Sequence, residues 1–320
     1  MREAPALPKW GLVATIRAPA EAVLNFAAHH LDLGAHRLFI YLDDDNRAAY
    51  DALKAHPKCR PTLTDDAYWR RLGIKRRVKH QARQFENARH AYARADDVEW
   101  LTHIDVDEFL WPQTDLAAQL AGLPDDCYCA RIRPVEALAP QGPGDITHFK
   151  ACAPDRPTRR RQALAVFGDF GAVPNGGFLS HVAGKMIYRT GIPGLRVQIH
   201  NVFLGDQTNP GERALPQTEL LHLHAPTWEA FRRALDFRLE KGSYRAELKP
   251  NAPREEGGMN MHDMLNALID EGGEDMLRRF FREVCTATPE LRARLAEYGL
   301  LRSHALALDA KRARHFPGAA

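Results

Sequence analysis

Apolar, β-prone runs alternate with segments of helical period along the first third of the chain, and this alternation constrains the fold more than any other feature. Gly11–Ile16 is a short strand candidate, after which Pro19 opens a stretch with Val23, Leu24, Ala27 and Leu31 at helical spacing that Gly34 stops. Arg37–Leu42 repeats the pattern, running into the acidic cluster Asp43-Asp44-Asp45 and then a helical stretch around Tyr50–Leu53. A third unit has helical period over Val78–Arg94 and an apolar run over Glu99–Ile104 that leads straight into Asp105 and Asp107. Parallel strands need crossovers that lay a helix over the sheet, so the expected class is α/β, a mixed and mostly parallel sheet flanked by helices.

Between Pro134 and Asn175 the helical period disappears and Pro, Gly and Arg accumulate, as in Arg156-Pro157-Thr158-Arg159-Arg160-Arg161, which reads as a long functional loop. Strand-like segments return at Lys185–Arg189, Val197–Phe203 and Glu219–Leu223. From Thr227 the pattern is helical almost to the end, broken by a linker at Pro250–Gly258. The expected organisation is a sheet domain over 1–225 with a C-terminal helical extension over 226–320.

Composition serves chiefly to exclude. A chain of 320 residues that is 45% hydrophobic can bury a sizeable core, and a net charge of +3 is too small to argue for nucleic acid. Five cysteines, Cys59, Cys127, Cys129, Cys152 and Cys285, lack paired C-x-x-C spacing, which speaks against a disulfide framework or a structural zinc site and for reduced thiols in a cytoplasmic protein. Cys127 and Cys129 alternate on a strand candidate and read as buried structural residues. Met1–Trp10 has no leader-like apolar run, and no stretch reaches the roughly 18 apolar residues of a membrane span. Arg302–His315, with Leu306 and Leu308 among Lys311, Arg312 and Arg314, suits a solvated terminal helix or peripheral contact with the inner membrane face.

Both acidic clusters fall at the carboxyl ends of strand candidates, where an open parallel sheet forms its ligand crevice. Asp105 and Asp107 are two apart, so on extended backbone they project to one side and share one ion. Hard divalent cations such as Mn²⁺ or Mg²⁺ accept one or two carboxylates and complete their shell with water and phosphate oxygens. A diphosphate leaving group is the matching substrate, because the ion stabilises the charge that develops on its oxygen.

The segment Trp100-Leu101-Thr102-His103-Ile104-Asp105-Val106-Asp107-Glu108-Phe109 resembles the W-x-x-x-x-D-x-D-E-F motif of the glycosyltransferase family 2 branch with the GT-A fold. Further matches lie in the same order over roughly Val13 to Gly242. His29-His30-Leu31-Asp32-Leu33-Gly34 is similar to a Y-H-x-x-x-G helix end, Phe39–Asp44 to an I-x-Y-x-x-D strand, and Lys79-His80-Gln81 to a K-x-Q helix start. Phe167–Gly171 matches an F-G-x-x-G turn, Gly184–Arg189 with His200 a G-K-x-x-x-R strand followed by histidine, and His222–Phe231 an H-Y-x-x-x-S-x-E-x-F segment. The chain departs from that pattern at Arg17-Ala18-Pro19, where relatives carry K-N-E, and at Asn46-Arg47-Ala48, where they carry a Ser/Thr-Asp-Gly turn. The resemblance implies a nucleotide-sugar donor of the UDP- or GDP-sugar kind, with Arg17, Asp43, Asp44, Gln81, Asp105 and Lys185 around it. It also implies a metal held by Asp105, Asp107 and His222, a saccharide or lipid-linked acceptor in cell-envelope or exopolysaccharide synthesis, and inversion at the anomeric carbon.

Several residues keep two readings. His200, His222 and His224 can offer a neutral imidazole to a metal or serve as hydrogen-bonded structural groups. Lys185 and Arg189 suit either a diphosphate or the solvated surface. The basic run Arg70, Arg71, Lys75, Arg76, Arg77, Lys79 and Arg83, beside Tyr68 and Trp69, suits an anionic ligand, a solvated face or nucleic acid, although nucleic acid is not the expected partner. A general base for the acceptor hydroxyl is sought among carboxylates, with Asp169 and Glu108 as candidates. The competing functions are a metal-dependent phosphoryl or nucleotidyl transferase using the same carboxylates, and a non-catalytic polyanion-binding protein using the basic run.

Overall fold

The structure, a computed structural model, describes residues 6–250, 254–256 and 258–318. Met1–Pro5, where no leader is expected, and residues 251–253 and 257 of the expected linker lie outside the described residues. In chain order the first elements are β1 (Trp10–Ile16), α1 (Ala20–Asp32), β2 (Arg37–Leu42), α2 (Arg47–Ala55), β3 (Cys59–Leu63), α3 (Asp66–Arg71), α4 (His80–Tyr92), β4 (Trp100–His103), β5 (Glu108–Pro112) and α5 (Leu116–Ala121). Next come β6 (Cys129–Ala137), β7 (Ile146–Lys150), α6 (Arg156–Phe167), β8 (Lys185–Arg189), β9 (Leu195–Val197), β10 (Val202–Leu204), β11 (Gln207–Thr208) and β12 (Arg213–His222). The chain closes with α7 (Trp228–Glu240), α8 (Met261–Cys285), α9 (Pro289–Glu297), β13 (Leu301–Ala305) and α10 (Leu308–His315). The described residues form two compact units.

The first unit comprises the chain up to Arg133, Ala183–Leu220 and the segment from Ala307 on. Its mixed sheet has the order β6-β8-β4-β1-β2-β3 and is flanked by helices, the class expected from the sequence. β1 pairs parallel with β2 and β4, and β2 parallel with β3, while β8 runs antiparallel to both β4 and β6. Every residue of β1 is buried, as a central strand covered on both faces requires. Helix α4 turns Gln84, Asn87, Ala88 and Ala91 inward at helical spacing, and the two alanines pack into a cluster with Val13, Tyr41, Leu101 and Tyr188. Burying each large apolar side chain there contributes about 1.5–3 kcal/mol. Because β1, β2 and β4 are parallel, Ile16, Leu42 and His103 end at one edge of the sheet, and the chain turns there into Arg17, Asp43 and Asp105.

The second unit comprises Pro134–Val182 and Leu221–Leu306. It corrects the expectation of a long loop over Pro134–Asn175: β7 pairs antiparallel with β6 and β13, and Asp155 caps α6 by accepting from the Thr158 N–H. The arginine run is therefore helical. The expectation of helix throughout the C-terminal part is corrected at β13, which is a strand because its backbone pairs with β7 from Leu301↔Lys150 to Ala305↔Ile146. Val197–Phe203, expected as one strand, is instead the hairpin β9–β10 of the first unit, with Val197 paired to Val202. Inside the second unit Lys150 and Glu136 form a fully buried ion pair at 3.2 Å, and the Leu179 and Ser180 N–H groups donate to the same Glu136 carboxylate. Among the described residues no helix is long and apolar enough to cross a membrane.

Candidate functional site

The end of β2 is an ionic knot. Asp43 is buried and accepts from Arg83 Nε and Nη2 at 2.8 and 2.6 Å, from Arg76 Nη2 at 3.0 Å and from the Thr64 hydroxyl at 3.1 Å, with His80 Nδ1 at 3.4 Å. Burial alone would raise its pKa, yet the hydrogen bonds from His80, Arg83 and Arg76 hold it well below the usual carboxylate range. Part of the basic run is thus an internal counter-ion set. α4 supplies His80 and Arg83, which stand three residues apart on one helical face, and the segment before it supplies Arg76.

At the end of β4 the backbone leaves the strand. Glu108 N–H donates to the Asp105 carbonyl at 3.0 Å, closing a turn over Asp105-Val106-Asp107-Glu108, so the two aspartates do not alternate on extended backbone as the spacing argument supposed. The turn is held from within: the Asp105 N–H donates to Glu108 Oε2 at 2.8 Å. Lys185, 2% exposed at the start of β8, reaches Asp105 Oδ2 at 2.6 Å and Glu108 Oε2 at 3.1 Å. Burial alone would lower the Lys185 pKa, but Asp105 and Glu108 outweigh it and raise the pKa above the ordinary lysine value. Gln84 Nε2 donates to Asp105 Oδ1 at 2.5 Å. Lys185 is therefore a buried strut under the turn, and Glu108 is a buried brace rather than an open carboxylate.

Between the ends of β1 and β2 lies a cavity of about 530 Å³ lined by Arg17, Ala18, Pro19, Ala20, Asp44, Asp45 and Asn46. α1 begins at its wall, with Pro19 offering no side-chain cap. Asn46 shapes the opposite wall by donating to the Ala18 carbonyl at 2.9 Å and capping α2 through the Ala49 N–H at 3.1 Å. Asp44 Oδ1 is buried without a hydrogen-bond partner; burial raises the Asp44 pKa and nearby Arg17 partly offsets the rise.

Gln81 is exposed in the first turn of α4, and Gln84, one turn on, is the glutamine that touches Asp105. Arg189 donates to the carbonyls of Cys127 and Pro124 and stacks over Trp100, a structural role. His200 Nδ1 donates to the Gly184 carbonyl at 2.8 Å. His29 Nε2 donates to the Leu110 carbonyl and His30 Nε2 accepts from its N–H, so this motif pair ties α1 to β5. His103 was not singled out by the sequence: it is fully buried, neither ring nitrogen has a hydrogen-bond partner, and burial with Lys185 nearby lowers its pKa to about 3. In the second unit Asp169 is exposed in a short 3-10 turn after α6. There His222 and His224 stand with ring centroids 5.1 Å apart, and His224 Nε2 pairs with the Tyr244 hydroxyl at 3.0 Å.

No family model matches the chain, and no curated protein does, so the glycosyltransferase family 2 resemblance stands on the motifs alone. Among solved structures, the galactosyltransferase LgtC in complex with donor and acceptor sugar analogs overlaps 56% of this chain and 57% of its own, at 13% identity and a TM-score of 0.26. An active-site mutant of LgtC overlaps 56% of each chain at 14% identity and a TM-score of 0.25. The chain spans little more than half the length of these structures, and such loose overlap leaves the site to be argued from its own residues.

Proposed function

We propose that the chain is a metal-dependent, inverting glycosyltransferase that moves a sugar from a uridine or guanosine diphosphate donor to a hydroxyl of a saccharide or lipid-linked acceptor, in cell-envelope or exopolysaccharide synthesis. The observation that carries the reading is the charge at the end of β4: two carboxylates, Asp105 and Glu108, hold one buried ammonium, Lys185, and Asp107 adds a third carboxylate in the same turn, so these four side chains keep two net negative charges at the sheet edge. That is the complement of one divalent ion. Both oxygens of Asp105 are engaged, yet a carboxylate offers about four lone-pair directions, so the donor set fits a hard cation such as Mn²⁺ or Mg²⁺.

Asp105 and Asp107, both in the first unit, are the proposed ligands. When bound, the ion would stabilise the negative charge on the departing nucleoside diphosphate. Asp44 and Arg17 are assigned to the nucleoside, because their cavity opens at the same strand ends and Asp44 Oδ1 has an acceptor to offer. Glu108 holds the turn. Incubation with sugar nucleotides and Mn²⁺ tests the reading: release of nucleoside diphosphate supports it, whereas release of pyrophosphate indicates nucleotidyl transfer and overturns it.

A further inference from the structure

At the end of β2 the cations outnumber the anion they pair with. Arg83, buried and bidentate, already neutralises Asp43, yet Arg76 brings a second guanidinium to the same carboxylate while its side chain stays 46% exposed. The rest of that segment, Lys75, Arg77, Val78 and Lys79, is exposed as well. Glu86 answers Arg77, but among the described residues no ion pair involves Lys75 or Lys79. These cations crowd the start of α4, where Lys79 provides no side-chain cap and the first turn holds no acid. Positive charge there opposes the helix dipole, an arrangement unfavourable by itself and favourable beside an anion. The ends of β2 and β4 flank β1 two strand spacings, about 10 Å, apart, so the cationic end and the carboxylate-rich end share one edge of the sheet.

We propose that Arg76 is a diphosphate clamp: its guanidinium rests on Asp43 in the free chain and turns its N–H donors to the donor's phosphate oxygens on binding, with Lys75 and Lys79 adding charge. The proposal rests on the nucleotide-sugar reading above and deepens it. A compact diphosphate fits better than an extended polyanion, because the exposed Asp45 and the neighbouring Asp44 would repel a strand of phosphates running past the cluster. Arg83 remains to pair Asp43 when Arg76 leaves, so the exchange strands no buried charge.

Calorimetric titration with inorganic pyrophosphate in EDTA, at low and high salt, tests this without the metal. The wild type is expected to bind with salt-sensitive affinity, Arg76→Ala to bind about tenfold more weakly, and Arg76→Lys to recover part of the loss, since lysine keeps the charge without the planar fork. Guanosine and uridine, which lack phosphate, are expected to bind all three proteins alike. Should Arg76→Ala melt lower than the wild type, the lysine variant carries the comparison. Pyrophosphate binding unchanged in both variants overturns the proposal. So does a wild type that ignores pyrophosphate while binding an oligonucleotide. Because no divalent ion is present, failure of the metal-dependent reading would leave this readout intact, and failure of the clamp would leave Asp107-dependent binding intact.

Discussion

Arg83 matters most where Asp43 is most buried, since removing it leaves a carboxylate with no solvent and with the outer cation, His80 and the Thr64 hydroxyl as partners. Breaking a buried pair from one side typically costs about 3–5 kcal/mol, and with Arg76 still in reach Arg83→Leu is expected at the lower end, read from the urea midpoint. The pH dependence has a definite sign. The folded Asp43 pKa lies below the unfolded value of about 3.9, so its contribution is complete at neutral pH and is lost as pH falls below about 4. Asp43→Asn should flatten the acid limb of the stability curve over that range, and an unaltered acid limb would contradict the ionic knot. At this scale the sequence exposed which carboxylates matter but not their partners. The resemblance implies Asp43 beside the nucleotide, and only the placement of α4 shows that Arg83 pairs with its carboxylate. The motif names Gln81 at a helix start, whereas the helical period places Gln84 on the buried face.

The glycines of the Phe167–Gly171 segment show why a motif can be structural at the level of an element. Gly168 ends α6 with φ +59°, and a Cβ on Gly171 would lie 2.1 Å from the Ala163 carbonyl oxygen. Gly171→Ala is expected to cost upwards of about 2 kcal/mol, measured by thermal unfolding, because backbone rather than a flexible side chain must move. A melting point equal to wild type would contradict that packing. The apolar strands β1, β2 and β4 were legible because burial on both faces leaves continuous hydrophobic runs. α6 was not, because Pro157 in its first turn and a run of arginines mask a stripe reduced to Ala163, Val166 and Phe167. β13 was hidden because Leu301–Ala305 is only partly buried, and its strand character comes from pairing with a distant partner.

For the whole molecule, the parallel edge of the first unit carries opposite charges at the strand ends on either side of β1, a guanidinium-rich end at β2 and a carboxylate-rich end at β4, with the Arg17 and Asp44 cavity between the ends of β1 and β2. A metal-bound nucleoside diphosphate has the matching pattern, its ion toward the carboxylates and its free phosphate oxygens toward the guanidiniums. The net charge of +3 conceals this, since totals say nothing of placement. The most direct measurement is titration of uridine and guanosine diphosphates into wild type and Asp107→Ala, each with and without Mn²⁺. The wild type should bind one nucleotide selectively and more tightly with Mn²⁺ than without it, and the variant should lose at least about tenfold of the affinity measured with Mn²⁺, roughly 1.4 kcal/mol. Equal binding with and without the ion, or by both proteins, would contradict the assignment of Asp107 to a metal-bound diphosphate.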